Sequence, residues 1–103
     1  MGEATRIEIP QGYLDYRIGS GQENLEVWNL FIKEGERRKG YGTQLMREVE
    51  KIARDRGLAC IYLFTRSSNK GAQNFYEKLG YQKIAEIPGF YRSEPGILYV
   101  KRL

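Results

Sequence analysis

The 103 residues contain no histidine and a single cysteine, Cys60. The missing histidine excludes Ser–His and Cys–His nucleophilic catalysis and removes the commonest zinc ligand. One cysteine cannot form an internal disulfide, so a reducing, cytoplasmic setting is expected. The apolar neighbours of Cys60 predict a buried thiol rather than a reactive one, since reactive thiols need electropositive, partly exposed surroundings. No apolar run approaches the roughly 20 residues of a membrane span. The charged N-terminus does not read as a signal peptide. Met1-Gly2 is followed by Arg6 where a myristoylation signal needs Ser or Thr. Internal repeats and low-complexity tracts are also lacking.

What is present is an ordinary globular composition, 41% hydrophobic and 29% charged, with a net charge of +4. The length suits a single domain, residues 1–103. The basic balance favours an anionic partner: a phosphorylated cofactor, nucleic acid or an acidic protein.

Residues 5–9 and 13–18 alternate and flank Pro10-Gln11-Gly12, a hairpin signal. Residues 24–33 form the longest strand candidate. Simple alternation puts Leu25, Val27 and Phe31 on one face and Glu26, Trp28, Leu30 and Ile32 on the other, with Trp28 in the core. Next, Leu45, Val49, Ile52 and Ala53 make the stripe of a helix facing a sheet. Its outer face is expected to carry Arg47, Glu48, Lys51, Arg54 and Asp55, with Glu50–Arg54 as an i,i+4 pair. Gly57 closes this helix as a left-handed residue. Residues 58–64 are apolar on both faces, as in a central strand. Strand, helix, strand in this pattern predicts that the 24–33 and 58–65 strands run parallel. Ser67-Ser68-Asn69 caps a second helix with the stripe Ala72, Phe75, Tyr76 and Leu79, ended by Gly80. Strands over 81–87 and 97–102 follow, joined through Pro88-Gly89 and a loop carrying Phe90-Tyr91-Arg92.

The chain is organised around Arg37-Arg38-Lys39-Gly40-Tyr41-Gly42-Thr43, between the run Leu30-Phe31-Ile32 and the first helix. A strand ending in a glycine turn that opens into a helix directs free N–H groups, the positive end of the helix dipole and three cations at one region. This suits a phosphate or pyrophosphate; an ordinary tight strand–helix connection is the competing reading. A Walker loop is excluded, because Tyr41 and Gly42 stand where Lys and Ser/Thr are needed. A dinucleotide fingerprint is excluded by Leu45 in place of its third small residue.

Two spacings combine here: Arg37-x-x-Gly40-x-Gly42 after Leu30-x-Ile32, and Asn69-x-x-Ala72-x-x-Phe75-Tyr76-x-x-Leu79-Gly80-Tyr81. Together they resemble the Gcn5-related N-acetyltransferase (GNAT) superfamily over roughly residues 24–103. The resemblance implies an α/β fold with a mixed, largely antiparallel sheet, in the order β-β-β-α-β-α-β-β. It also implies a splayed parallel strand pair at the acyl-CoA site. It implies acetyl-CoA as acyl donor, no metal, and an amine acceptor, either a protein or a small molecule. The backbone of Leu30, Phe31 and Ile32 would pair with pantetheine. Arg37, Arg38, Lys39, Gly40, Tyr41, Gly42 and Thr43 would surround the pyrophosphate, and Asn69 would hold the pantetheine arm. Tyr76 matches the tyrosine beside the thioester sulfur. Glu26 lies where some members carry a glutamate base.

Elementary chemistry gives these roles content. An amine of pKa about 10.4 is protonated at neutral pH and must lose that proton before attack. A phenol donor eases departure of a thiolate, and a backbone N–H at the splay could stabilise the oxyanion. The bland readings are that Tyr76 is core, Glu26 a solvated strand residue with a water relay as base, and Asn69 only a cap. Family members usually begin with a strand and one or two helices that close over the acceptor; here only a hairpin precedes residue 24. An open acceptor side and a two-fold homodimer that covers it are therefore expected. The N-terminal hairpin and Phe90-Tyr91-Arg92 are the expected acceptor-facing parts. A non-catalytic acyl-CoA-binding or partner-interaction domain is the main rival. A small basic nucleic-acid module would use the eight tyrosines for stacking but leaves the glycine spacing unexplained.

Overall fold

A computed structural model describes residues 4–103. The fold is mixed α/β: six strands, mostly antiparallel with one parallel pair, and two helices in the expected order. The elements are β1 Thr5–Ile9, β2 Gly12–Ile18, β3 Asn24–Ile32, α1 Tyr41–Asp55, β4 Cys60–Arg66, α2 Lys70–Lys78, β5 Gln82–Ile87 and β6 Gly96–Arg102. The chain divides into two compact units, one ending at Ile61 and rejoined by Leu103, the other running from residue 62 to 102.

In the first unit β1, β2 and β3 form an antiparallel meander, with α1 packed on β2 and β3. Gly12 is required at the hairpin because a Cβ there would collide with the carbonyl oxygen of Phe31. The register between β2 and β3 shifts at Asp15/Tyr16: Asp15 faces Asn29, Tyr16 faces Val27, and Trp28 is the extra residue. This bulge changes the phase of β3. Leu25, Val27, Leu30 and Ile32 therefore share the face of Leu14 and Tyr16, and Phe31 joins the face of Glu26. The simple alternation was wrong beyond Val27 for this reason. Trp28 is also not core; it is 54% exposed, with the Arg17 guanidinium 4.3 Å above its ring.

The apolar face closes a core with α1: Leu14, Tyr16, Leu25 and Val27 are buried, as are Leu45, Met46, Val49 and Ala53. Each of the leucine, valine and methionine side chains contributes roughly 1.5–3 kcal/mol by leaving water. Glu50 belongs to the buried stripe, not to the outer face. Its carboxylate accepts from Arg47 Nη1 at 2.8 Å, so the expected Glu50–Arg54 pair is replaced by an i,i+3 pair, and the i,i+4 pair is Lys51–Asp55. Gly57 ends α1 at φ 70°, with Leu58 N–H donating to Ala53 O. Cys60 is half-buried rather than buried.

In the second unit the strand order is β4-β6-β5, and α2 packs on β5. A second register shift leaves Ile84 as the extra residue of β5, 56% exposed. Among the described residues, the two most exposed large apolar side chains thus both sit at irregularities of the ladder. Gly80 follows α2 at φ 94°, and Tyr81 N–H donates to Tyr76 O. Among the described residues no helix is long and apolar enough to cross a membrane.

Candidate active site

The organising stretch forms a turn that leaves the helix end open. Arg37 Nε donates to Ile32 O at 3.2 Å, and Lys39 pairs with Glu36 at 3.3 Å, which fixes two of the three cations close to the turn itself. Arg38 adopts φ 65° and Gly40 φ 89°, so two left-handed residues fold the chain sharply before α1. A Cβ on Gly40 would meet open space; its glycine answers to backbone conformation, not crowding. At this end Gln44 N–H donates to Gly40 O at 2.9 Å, an i to i−4 bond. The N–H groups of Tyr41, Gly42 and Thr43 precede it and have no intrahelical acceptor. No side chain caps them and no acidic residue stands in the first turn. Gly40 and the three cations are exposed, and Tyr41, Gly42 and Thr43 are half-buried.

Upstream, Leu30, Phe31 and Ile32 pair with Leu14, Tyr13 and Gly12 along one edge. The opposite sheet face carries a row of polar and aromatic contacts. Arg6 grips Asp15 through Nε at 2.8 Å and Nη2 at 3.0 Å, while Asn29 Nδ2 donates to the same carboxylate. The Arg6 bond, helped by Asn29, holds the Asp15 carboxyl below its ordinary range despite its burial. Tyr13 and Phe31 stack at 5.3 Å. Glu26 accepts from Arg17 Nε at 3.0 Å through Oε1, and only 11% of its side chain is exposed. It is neither a solvated strand residue nor a neighbour of Leu30 on the same face.

In the second unit Asn69 does cap α2: its Oδ1 accepts from Ala72 N–H at 3.0 Å. Gln73 Nε2 closes the same end by donating to Arg66 O and Ser67 O, both at 3.0 Å. Tyr76 is buried against Phe75, Tyr81 and Tyr99, and burial pushes its phenol up to about 12. It is therefore neutral, with its proton available, throughout the physiological range. The β5–β6 loop is braced rather than free. Phe90 stacks on Phe64 at 4.4 Å, Arg66 lies over Tyr91, and Glu94 accepts from Ser68 N–H at 2.7 Å and Ser67 Oγ at 3.1 Å. Those bonds from Ser68 and its neighbours hold the Glu94 carboxyl below its ordinary range.

Sequence reasoning missed Arg17 as the partner of Glu26 and Glu94 as the brace of residues 67–68. It also missed Arg6–Asp15: a loop over residues 10–12 would set Arg6 opposite Tyr16, whereas the turn at residues 10–11 sets it opposite Asp15. Arg17–Glu26 and Glu94 carried no local signal.

Residues 6–81 match the sequence profile of the acetyltransferase (GNAT) family. The chain belongs to the GNAT family. The thialysine N-epsilon-acetyltransferase of Bos taurus is 28% identical over 79 residues, which cover 77% of this chain and 46% of that protein. The uncharacterized N-acetyltransferase CgeE of Bacillus subtilis is 31% identical over 80 residues, 78% of this chain and 30% of the relative. The chain thus spans less than half the length of these curated relatives. In fold it is similar to a GNAT acetyltransferase from Elizabethkingia anophelis with acetyl-CoA bound. That similarity has a TM-score of 0.87 at 19% identity and covers 99% of this chain and 76% of the other.

Proposed function

We propose that this GNAT chain transfers the acetyl group of acetyl-CoA to a primary amine by direct attack within a ternary complex. The observation that carries the reading is the uncapped start of α1, where a left-handed Gly40 presents N–H groups with neither a side-chain cap nor an acidic residue in the first turn. A pyrophosphate supplies the acceptors and the negative charge that this end lacks. The acetyl-CoA seen in the Elizabethkingia relative is consistent with that donor. In this reading Leu30, Phe31 and Ile32 offer backbone groups to pantetheine, and the turn over residues 37–43 holds the pyrophosphate. Asn69 offers its amide N–H₂ to the pantetheine arm, because its Oδ1 already serves the cap.

The amine nitrogen attacks the thioester carbonyl carbon, the carbon–sulfur bond breaks, and the departing group is the CoA thiolate. Glu26 is assigned the ammonium proton that leaves before attack. The second N–H proton, lost as the amide forms, passes to the departing thiolate, so that the products are the N-acetyl amine and the CoA thiol. Glu26 Oε1 is held by Arg17, which orients the carboxylate and leaves Oε2 for the acceptor. Tyr76 is assigned to the sulfur. A phenol near 12 is a weak acid toward a thiolate, whose conjugate thiol lies near 8.5 for cysteine. Tyr76 therefore acts as a hydrogen-bond donor that stabilises the developing charge rather than as a group that surrenders its proton outright.

The test is thiol release from acetyl-CoA over a panel of primary amines: small polyamines and amino acids, lysine peptides and free peptide N-termini. Release that depends on amine concentration and yields an acetylated amine by mass supports the reading. Acetyl-CoA binding without release by any amine would instead favour a non-catalytic acyl-CoA-binding domain.

A further inference from the structure

We propose that Tyr99, through its hydroxyl bond to Glu77, is a positioning residue that aims Tyr76 at the leaving sulfur; this rests on the role given to Tyr76 above.

The Tyr76 hydroxyl makes no hydrogen bond among the described residues, so nothing at its own tip sets its direction. Its aim must come from the packing of its ring and from the register of α2. That helix has only nine residues, Lys70–Lys78, too short to be stable without tertiary support. Its first turn is secured by Asn69 and Gln73. Its last turn is secured from β6. Tyr99 Oη donates to Glu77 Oε2 at 2.6 Å, and Lys101 Nζ donates to Leu79 O at 2.9 Å. Residues 99 and 101 are two apart on a strand and so project from the same face.

The placement of these contacts is selective. Glu77 directly follows Tyr76, and the Tyr99 ring lies 6.5 Å from the Tyr76 ring. Tyr99 is fully buried, whereas Glu77 is exposed. A phenylalanine would fill the core equally well. The phenol adds one short, charge-assisted bond from the core to the helix turn that carries Tyr76. Burial and the Glu77 carboxylate together push the Tyr99 phenol up to about 12, so this donor keeps its proton across the working pH range.

The experiment compares Tyr99→Phe, Glu77→Ala, Glu77→Gln, Tyr76→Phe and the double variant Tyr76→Phe/Tyr99→Phe, each checked for a cooperative melt. The acceptor is the panel amine that the unmodified chain turns over fastest. Tyr99→Phe and Glu77→Ala should each lower kcat about tenfold, the scale of a slightly misplaced reacting group, while the KM for acetyl-CoA stays within about twofold. Glu77→Gln keeps an acceptor oxygen and should recover most of the rate. In the Tyr76→Phe background, Tyr99→Phe should cost nothing further. Unchanged kcat in Glu77→Ala, or the same fractional loss from Tyr99→Phe with and without the Tyr76 hydroxyl, would overturn the positioning role alone. A fully active Tyr76→Phe chain would overturn the role of Tyr76 and this proposal with it.

Discussion

The two helices begin in opposite ways. α2 answers its own first turn: Asn69 accepts from Ala72 N–H, and Gln73 donates back to the carbonyls of residues 66 and 67. α1 leaves its first turn unanswered, behind a left-handed glycine and without a side-chain cap. A helix end left open lacks a stabilisation that a capping residue supplies at about 1 kcal/mol. The contrast separates two tasks. The open end is available to an anion, and the closed end fixes the short helix on which Tyr76 rides. Apart from Asn69, whose amide is also assigned to the pantetheine arm, substitutions at the closed end should therefore alter turnover or stability, and substitutions at the open end should alter cofactor affinity.

The largest effect expected at the closed helix is on chemistry. Tyr76→Phe keeps the ring among Phe75, Tyr81 and Tyr99 and removes only the donor. Steady-state assays should show kcat reduced by roughly 10²-fold, with acetyl-CoA affinity changed no more than a few-fold. A comparable loss of affinity would mean that the division between the two helices is wrong.

The same cluster predicts an alkaline limit. Tyr76 and Tyr99 are both raised from 10 to about 12 in the folded chain. A group raised on folding contributes stability that is fully present below its unfolded value. That stability is lost as pH rises through its folded value. The window is therefore pH 10 to 12, and each phenol accounts for up to about 2–3 kcal/mol across it. Denaturant melts at pH 9 and pH 11.5 should diverge, and Tyr99→Phe should narrow the gap.

Glu26→Gln sharpens the contrast from the first unit. It removes the proposed base and leaves the turn over residues 37–43 intact. kcat/KM at neutral pH should fall about tenfold or more, and the deficit should shrink as pH approaches the amine's own pKa. A pH–rate profile that superimposes on that of the unmodified chain would assign the proton to water. Smallest of all is Asn69→Ala, which should cost about 1 kcal/mol of stability in a denaturant melt, the worth of one cap.

Much of this was legible in the chain. The glycines announced their turns: Gly40, Gly57 and Gly80 all adopt the left-handed conformation that ends or begins a helix. The element order followed from hydrophobic period, and Asn69 was readable as a cap from its position before Ala72, Phe75 and Tyr76. The failures have one physical source, contacts set by the fold rather than by local spacing. A single extra residue at Trp28 reversed the faces of Leu30, Phe31 and Ile32, and no periodicity reveals a bulge in advance. Glu50 looked solvated because the sequence does not show that Arg47 reaches across one turn to a buried carboxylate. The Arg17–Glu26 pair depends on the same register, and Tyr99–Glu77 joins residues 22 apart in sequence.

The central claim is that the open start of α1 receives the pyrophosphate of acetyl-CoA. Calorimetric titration of acetyl-CoA into the unmodified chain and into Gly42→Asp tests it directly, because the substitution puts a carboxylate among the free N–H groups. The unmodified chain should bind in the micromolar range, with a raised melting temperature. Gly42→Asp should lose binding by about 100-fold or more, with a cooperative melt retained. Equal binding by the two proteins, or no binding by the unmodified chain at millimolar acetyl-CoA, would contradict the claim.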